Sequence, residues 1–162
     1  MLDDFDRVYR QHLAPVWRYV RARVPDASEA EDMTSEVFLR AARAWPTYDP
    51  GRGAVLPWLV GIARHVVADW WRRRPPVPTD PEALGPGPTG DAEAEALRRL
   101  DAAEFRRHLA VLTGRERDAV ALRFGAGLPA AEIGDLLGIS DAGARMLVHR
   151  AVTKLRGEVE HG

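Results

Sequence analysis

A chain of 162 residues, 46% of them apolar, is long enough for one medium domain or two small ones and too apolar for wholesale disorder. The absence of cysteine excludes disulfides, thiolate metal sites and cysteine nucleophiles. The net charge of -1 hides an uneven distribution: Asp80, Glu82, Asp91, Glu93 and Glu95 form an acidic connector without a base, between two mildly basic segments.

The opening "MLDDFDRVYR" is acidic and has no signal-peptide apolar core, and no later run approaches the roughly 18 apolar residues that cross a bilayer. The expectation is a soluble, cytoplasmic chain without membrane insertion. Apolar residues at Phe5, Val8, Leu13, Val16 and Val20 predict a first helix over 4–24, which Pro15 should kink or interrupt. Asp26 with Glu29 three residues on predicts a capping box opening a helix to about Ala44. "PTYDPGRGAVLP" reads as a loop, and Pro57 suits the first turn of a helix continuing to Arg74.

"PPVPTDPEALGPGPTGD" carries too many Pro and Gly for helix or strand to persist, so it predicts a flexible linker. All five Trp precede it, which favours two separate cores. A helix is expected over 93–112. Thr113 and Glu116 predict a second capping box, with the helix ending in the glycines of "FGAGLP". Pro129 opens a short helix to Leu137, Gly138 turns the chain, and Ser140 caps a final helix to about Arg156. The fold class expected is all-α: two small helical domains joined by a flexible Pro/Gly-rich linker, over 1–75, 76–92 and 93–162.

The last two helices have the spacing of a helix-turn-helix. Gly134 falls where they must cross closely, and Ile133, Leu137, Ile139, Ala144, Val148, Ala151 and Leu155 fill the inner side. Ala142, Gly143, Arg145, Met146, His149 and Arg150 are left outward as candidate DNA contacts. An ordinary helical hairpin would show a similar pattern. The sequence has no Asn and only Gln11 as Gln, so bidentate partners for adenine are missing. The small residues 142–144 let the helix start approach the groove, and Arg145 is the best direct reader.

In "ARHVVADWWRRR", an aromatic pair and three arginines can stack on unpaired bases and grip the backbone. Arginine at a helix C-terminus also simply favours the helix dipole. Trp70 and Trp71 point about 100° apart, so one must lie at a rim. On "SEAEDMTSEVFLRAARAW", Met33 and Val37 line one face and Asp32, Glu36 and Arg40 stack on another. Such a stripe is ordinarily a solvated face, and equally fits docking to a basic partner.

Catalysis finds no platform: the five histidines lack metal-ligand spacing, the serines sit at helix starts or surface positions, and no Gly-rich loop joins a strand to a helix. Neither an enzyme nor a metal or cofactor site is expected.

Together the quoted stretches resemble a bacterial extracytoplasmic-function sigma factor of the minimal two-domain kind, over nearly the whole chain. "EAEDMTSEVFLRAARAW" is similar to the family's polymerase-binding helix, which implies a role for Asp32, Ser35, Glu36 and Leu39. "YDPGRGAVLPWLVGIARHVVADWWRRR" resembles the element that recognises and melts the minus-ten sequence, implying DNA contacts at Arg64, His65, Arg72, Arg73 and Arg74. "LTGRERDAVALRFGAGLPAAEIGDLLGISDAGARMLVHRAVTKLR" resembles the minus-thirty-five reader. The resemblance implies core RNA polymerase as a partner, through the β′ clamp helices and the β flap, together with promoter DNA, and it admits an anti-sigma factor. Ser35 stands where the family commonly has Gln, His65 where Asn is frequent, Met146 where Ser is common, and Leu147 where Arg is frequent, so the usual minus-thirty-five sequence is not expected. The competing expectation is a helix-turn-helix repressor or activator whose N-terminal half senses a ligand or dimerises. An adaptor bundle that never touches DNA is the third.

Overall fold

The computed structural model describes the backbone over residues 2–73 and 110–161, with side chains over 4–73 and 110–157. The linker 76–92, Arg74 and most of the helix expected over 93–112 lie outside the described residues. Within them every regular element is helical: α1 Leu2–Arg23, α2 Ala27–Ala44, α3 Val55–Arg73, α4 Gly114–Val120, α5 Ala130–Leu137 and α6 Asp141–His161.

α1 runs through Pro15 without a break. Proline inside a helix costs about 3 kcal/mol, but the buried face continues on both sides of it. Val8 lies before it, and Val16, Tyr19, Val20 and Val24 after it, all under 9% exposed. A helix interrupted at Pro15 would turn one of these stretches out of the core, so packing overrides the local penalty. Asp26 is the N-cap of α2 as expected, its carboxylate accepting from the Glu29 amide at 3.0 Å, which is one arm of the expected capping box. Buried Met33, Val37 and Ala41 face α1 and α3. Short 3-10 turns at Trp45–Thr47 and Pro50–Arg52 carry the chain into α3, with Pro57 in its first turn.

α4 opens on the full capping box: Thr113 N donates to Glu116 Oε1 at 2.9 Å, and Glu116 N donates to Thr113 Oγ1 at 3.1 Å. It passes into a π turn, Ala121–Gly125, closed by the Ala126 amide donating to Ala121 O at 3.0 Å. Gly138 takes the left-handed conformation at φ 70° that ends α5. The Ser140 hydroxyl then accepts from Gly143 N at 3.0 Å to start α6. At Gly134 a β-carbon would lie 2.7 Å from Ile139 O, so only glycine fits the crossing of α5 beneath the turn. α6 extends past the expected Arg156 to His161.

The expectation of two separate cores is corrected. One continuous apolar cluster joins Val16, Tyr19 and Val20 of α1, Leu59, Val60 and Ala63 of α3, and Leu122, Leu128, Ile133 and Ala144 of the second half. Among the described residues, only a satellite of Leu112, Val120 and Ala151, with Leu155 against it, belongs to the second half alone. The uneven Trp distribution misled because the cluster that joins the halves is continued in the second half by aliphatic side chains. A break in composition marks the covalent connector and says nothing about which faces meet in space.

Candidate polymerase and nucleic-acid surfaces

The buried face of α2 leaves Asp32, Ser35 and Leu39 exposed on its far side, Leu39 at 47%. Glu36 sits between them, half-buried, in the intrahelical pair its spacing gives. Its Oε1 accepts from Arg40 Nε at 2.9 Å, and Arg40 also reaches Asp69 of α3 at 3.6 Å. The acidic stripe is thus partly a tie between helices. Tyr9 of α1, 40% exposed, lies edge-on to Phe38 with centroids 4.9 Å apart. It adds an aromatic to the same side of the bundle, at a position the spacing argument did not single out.

The loop before α3 is held by aromatic rings. Trp45 stacks on Tyr48 at 5.1 Å, and both rings contact Trp58. The Tyr48 hydroxyl donates to Gly53 O at 2.8 Å, and Asp49 Oδ1 accepts from Gly51 N at 2.9 Å. These contacts fix a loop whose tip residues are exposed. Sequence reasoning missed this clasp, although Trp45, Tyr48 and Trp58 flanking a Pro/Gly stretch were the signal for it.

α3 presents His65 and Arg73 to solvent. Arg72 is exposed but paired with Asp69 and Ala68 O within its own helix. Of the tryptophan pair, Trp70 packs on the core, while Trp71 lies at the rim, 37% exposed, donating from Nε1 to Arg23 O at 3.2 Å. Arg64 is not turned outward. Its Nη2 lies 2.9 Å from Asp118 Oδ2, its Nε donates to the same oxygen at 3.0 Å, and its Nη1 donates to Leu136 O at 2.8 Å. The second half therefore holds a residue expected to contact DNA.

Asp118 is the centre of that junction. Its Oδ1 accepts from the Tyr19 hydroxyl at 2.6 Å and lies 4.0 Å from Arg23 Nε. Burial first, then the charge of Asp118 and the hydrogen bond to it, push the Tyr19 phenol well above its ordinary pKa. Burial and the neighbouring Arg23 lower that of Arg117. Spacing gave no sign of Asp118, because one acidic residue in a mixed-charge helix is ordinarily a surface residue.

On α6 the outward residues fall where the helical period puts them. Ala142, Arg145, Met146, His149 and Arg150 are exposed, Met146 at 59%, and Gly143 is half-buried. Among the described residues Arg145 is tied only to Asp141, at 3.4 Å, with both side chains at least half exposed, a pair that water screens. Leu147 is 9% exposed and packs inward, so it presents little to a groove. Behind this face Lys154 donates to Glu116 Oε1 at 2.8 Å, tying α6 to α4. That bond, with those from Thr113, lowers the Glu116 pKa against the effect of burial. Among the described residues no cluster of His, Asp or Glu is disposed to hold a metal ion, and no helix is long and apolar enough to cross a membrane.

An exposed, capped helix behind a glycine crossing, in a chain whose other half ends in an arginine-bearing helix, defines a helix-turn-helix protein of two dissimilar parts. Residues 8–75 match the family described as Sigma-70 region 2, and residues 108–157 match Sigma-70, region 4. The chain is 36% identical over 162 residues to the ECF RNA polymerase sigma factor ShbA of Streptomyces griseus, covering 92% of this chain and 84% of the relative. To the ECF RNA polymerase sigma factor BldN of Streptomyces coelicolor it is 35% identical over 156 residues, covering 94% of this chain. It spans only 59% of that relative's length. The sigma factor RpoE of Bartonella quintana, solved in complex with the anti-sigma factor NepR, shares the fold with a TM-score of 0.77 at 17% identity, over 97% of each chain. This chain belongs to the extracytoplasmic-function sigma factors of the sigma-70 family.

Proposed function

We propose that the chain is an alternative sigma factor that binds core RNA polymerase and directs initiation at its own promoters. The observation that carries this is the pairing, on one chain, of an exposed acidic and apolar face on α2 with an exposed reading face on α6. Residues 1–75 act as the polymerase-binding and minus-ten unit, 76–92 as a tether, and 93–162 as the minus-thirty-five unit. Asp32, Ser35, Glu36 and Leu39 dock on the basic β′ clamp helices, and the second unit contacts the β flap. His65, Arg72, Arg73 and Arg74, with Arg64 once released, hold the opened minus-ten strand. Capturing an unstacked base costs a few kcal/mol, offset by contacts in its pocket.

At the minus-thirty-five element the helix start brings Ala142 and Gly143 close to the groove, Arg145 reads bases, and Met146, His149 and Arg150 flank it. The tether raises the effective concentration of one weak site once the other is bound. An anti-sigma factor, as in the RpoE complex, is a further partner. The reading gives the chain no catalytic step or cofactor of its own. The region 2 match over residues 8–75 does not favour a repressor with a sensing or dimerising N-terminal half.

The test is Asp32→Lys with Glu36→Lys. Charge reversal on a merely solvated stripe shifts stability by under about 1 kcal/mol, whereas at an interface with basic helices it brings repulsion and desolvation. The expected result is a folded, helical double variant that no longer co-purifies with core polymerase and no longer supports in vitro transcription. Normal polymerase binding by the folded variant refutes the assignment of this face.

A further inference from the structure

Three guanidiniums gather around one carboxylate where α1, α3 and α4 come together, and that carboxylate cannot serve them all. Both oxygens of Asp118 are engaged. Oδ1 accepts from the Tyr19 hydroxyl at 2.6 Å, while Oδ2 accepts from Arg64 Nε at 3.0 Å and lies 2.9 Å from Arg64 Nη2. Arg23 Nε stands 4.0 Å from Asp118, beyond hydrogen-bond distance. Glu116, the other acid of α4, is taken by Lys154 and the Thr113 amide. Nε of Arg23 and Nε of Arg117 are buried and have no hydrogen-bond partner among the described residues.

The two side chains are near enough to act on each other, since the charge of Arg23, after burial, lowers the Arg117 pKa. A buried donor without a protein acceptor is ordinarily met by water or by an ion. Charge decides between the two here. Arg23, Arg64 and Arg117 set three positive charges against the one negative charge of Asp118. Water can accept the hydrogen bonds but cannot offset that excess, and buried charge left uncompensated is costly. An anion with several acceptor oxygens does both. Neither arginine is sealed off, the Arg23 side chain being 18% exposed and Arg117 half-buried, so each borders solvent.

We propose that Arg23 and Arg117 form a site for a small phosphoryl oxyanion, inorganic phosphate or pyrophosphate, held between the end of α1 and α4. A tetrahedral group of more than one negative charge supplies what the pair lacks. The planar guanidinium fork grips phosphate oxygens two at a time, and here two forks on different helices close on one group. A halide brings a single charge and no paired oxygens, so chloride substitutes poorly. The site needs neither promoter nor polymerase and stands apart from the functional reading above.

The experiment titrates the full chain with inorganic phosphate, and separately with pyrophosphate, by equilibrium dialysis of radiolabelled ligand and by thermal unfolding. Chloride holds the ionic strength constant. One site per chain is expected, with the unfolding midpoint rising by roughly 3 °C or more near saturation, because the ligand binds only the folded chain. Arg117→Met and Arg23→Met, made separately, keep a long unbranched side chain and remove the charge. Each is expected to weaken binding at least tenfold, with helical content followed by circular dichroism.

The order of stability should also cross. Without phosphate, Arg117→Met should unfold at or above the midpoint of the unaltered chain, because an uncompensated buried cation is gone. At saturating phosphate it should unfold below it. Arg52→Gln, which removes an 89%-exposed cation from a loop, should bind as the unaltered chain does, separating the site from general attraction of anions. If a Met variant fails to fold, Arg117→Lys carries the test, keeping the charge and losing the fork, and should still bind more weakly. No saturable binding, or binding that the arginine variants leave intact, overturns the proposal. Binding of a short oligodeoxynucleotide that needs both arginines, with none of phosphate or pyrophosphate, also overturns it, since the ligand is then nucleic acid.

Discussion

Replacing Glu116 tests whether the helix-turn-helix half is held by one buried carboxylate. Its side chain is 3% exposed, and Oε1 accepts both from the Thr113 amide at 2.9 Å and from Lys154 Nζ at 2.8 Å. Glu116→Ala leaves a capping amide and an ammonium without their acceptor. Losing the reciprocal arm of a cap costs about 1 kcal/mol. Losing a hydrogen bond to a charged group costs about 1.5–3 kcal/mol, the lower end applying because Lys154 is 42% exposed and water screens its share. A destabilisation of about 2–3 kcal/mol follows from those two terms.

Glu116→Gln keeps an acceptor oxygen in place and loses only the charge, so it should cost roughly half as much. Glu116 has a lowered folded-state pKa, so its contribution is present above the ordinary carboxylate range and is lost as pH falls through the depressed value. Chemical denaturation from neutral to acid pH should show this loss in the unaltered protein and its absence in Glu116→Gln. The reasoning is refuted if Glu116→Ala costs less than about 0.5 kcal/mol, the level of an ordinary surface change, or if the two variants are equally damaging.

Gly134→Ala should destabilise the chain by about 1–3 kcal/mol in thermal or urea unfolding, because its β-carbon has no room beneath the Ile139 carbonyl. Full stability in that variant would mean the turn relaxes freely. Arg145→Ala should weaken promoter recognition by about 1–3 kcal/mol, mostly at one or two minus-thirty-five positions. Selection from randomised promoters with the polymerase-bound protein measures this, and an unchanged preference removes Arg145 from the reading role.

Local signals carried much of the chain. The caps at Asp26, Thr113 and Ser140, the turn at Gly138 and the tight crossing at Gly134 were all legible, since each depends on a few consecutive residues. The outward face of α6 was legible for the same reason, being set by helical period alone. The pattern failed where a residue's partner lies far along the chain. Pro15 looked like a break because its penalty is local, while the packing that overrides it comes from α2, α3 and the π turn. Arg40 pairs with Glu36 one turn away, which the spacing gives, but its second partner, Asp69, comes from another helix and was not legible.

By itself the sequence determined the helices of the described residues and their caps, because periodicity and capping act within a few residues, and its family resemblance implied the order of the two halves. Only the tertiary structure decided that the two halves share one core and that Asp118 holds Tyr19, Arg23 and Arg64 together. Tyr19 and Asp118 are 99 positions apart, and Arg64 and Leu136 are 72. No local propensity encodes such pairs. They form only when apolar faces of separate segments are buried against each other and leave their few charged groups to find partners at the seam.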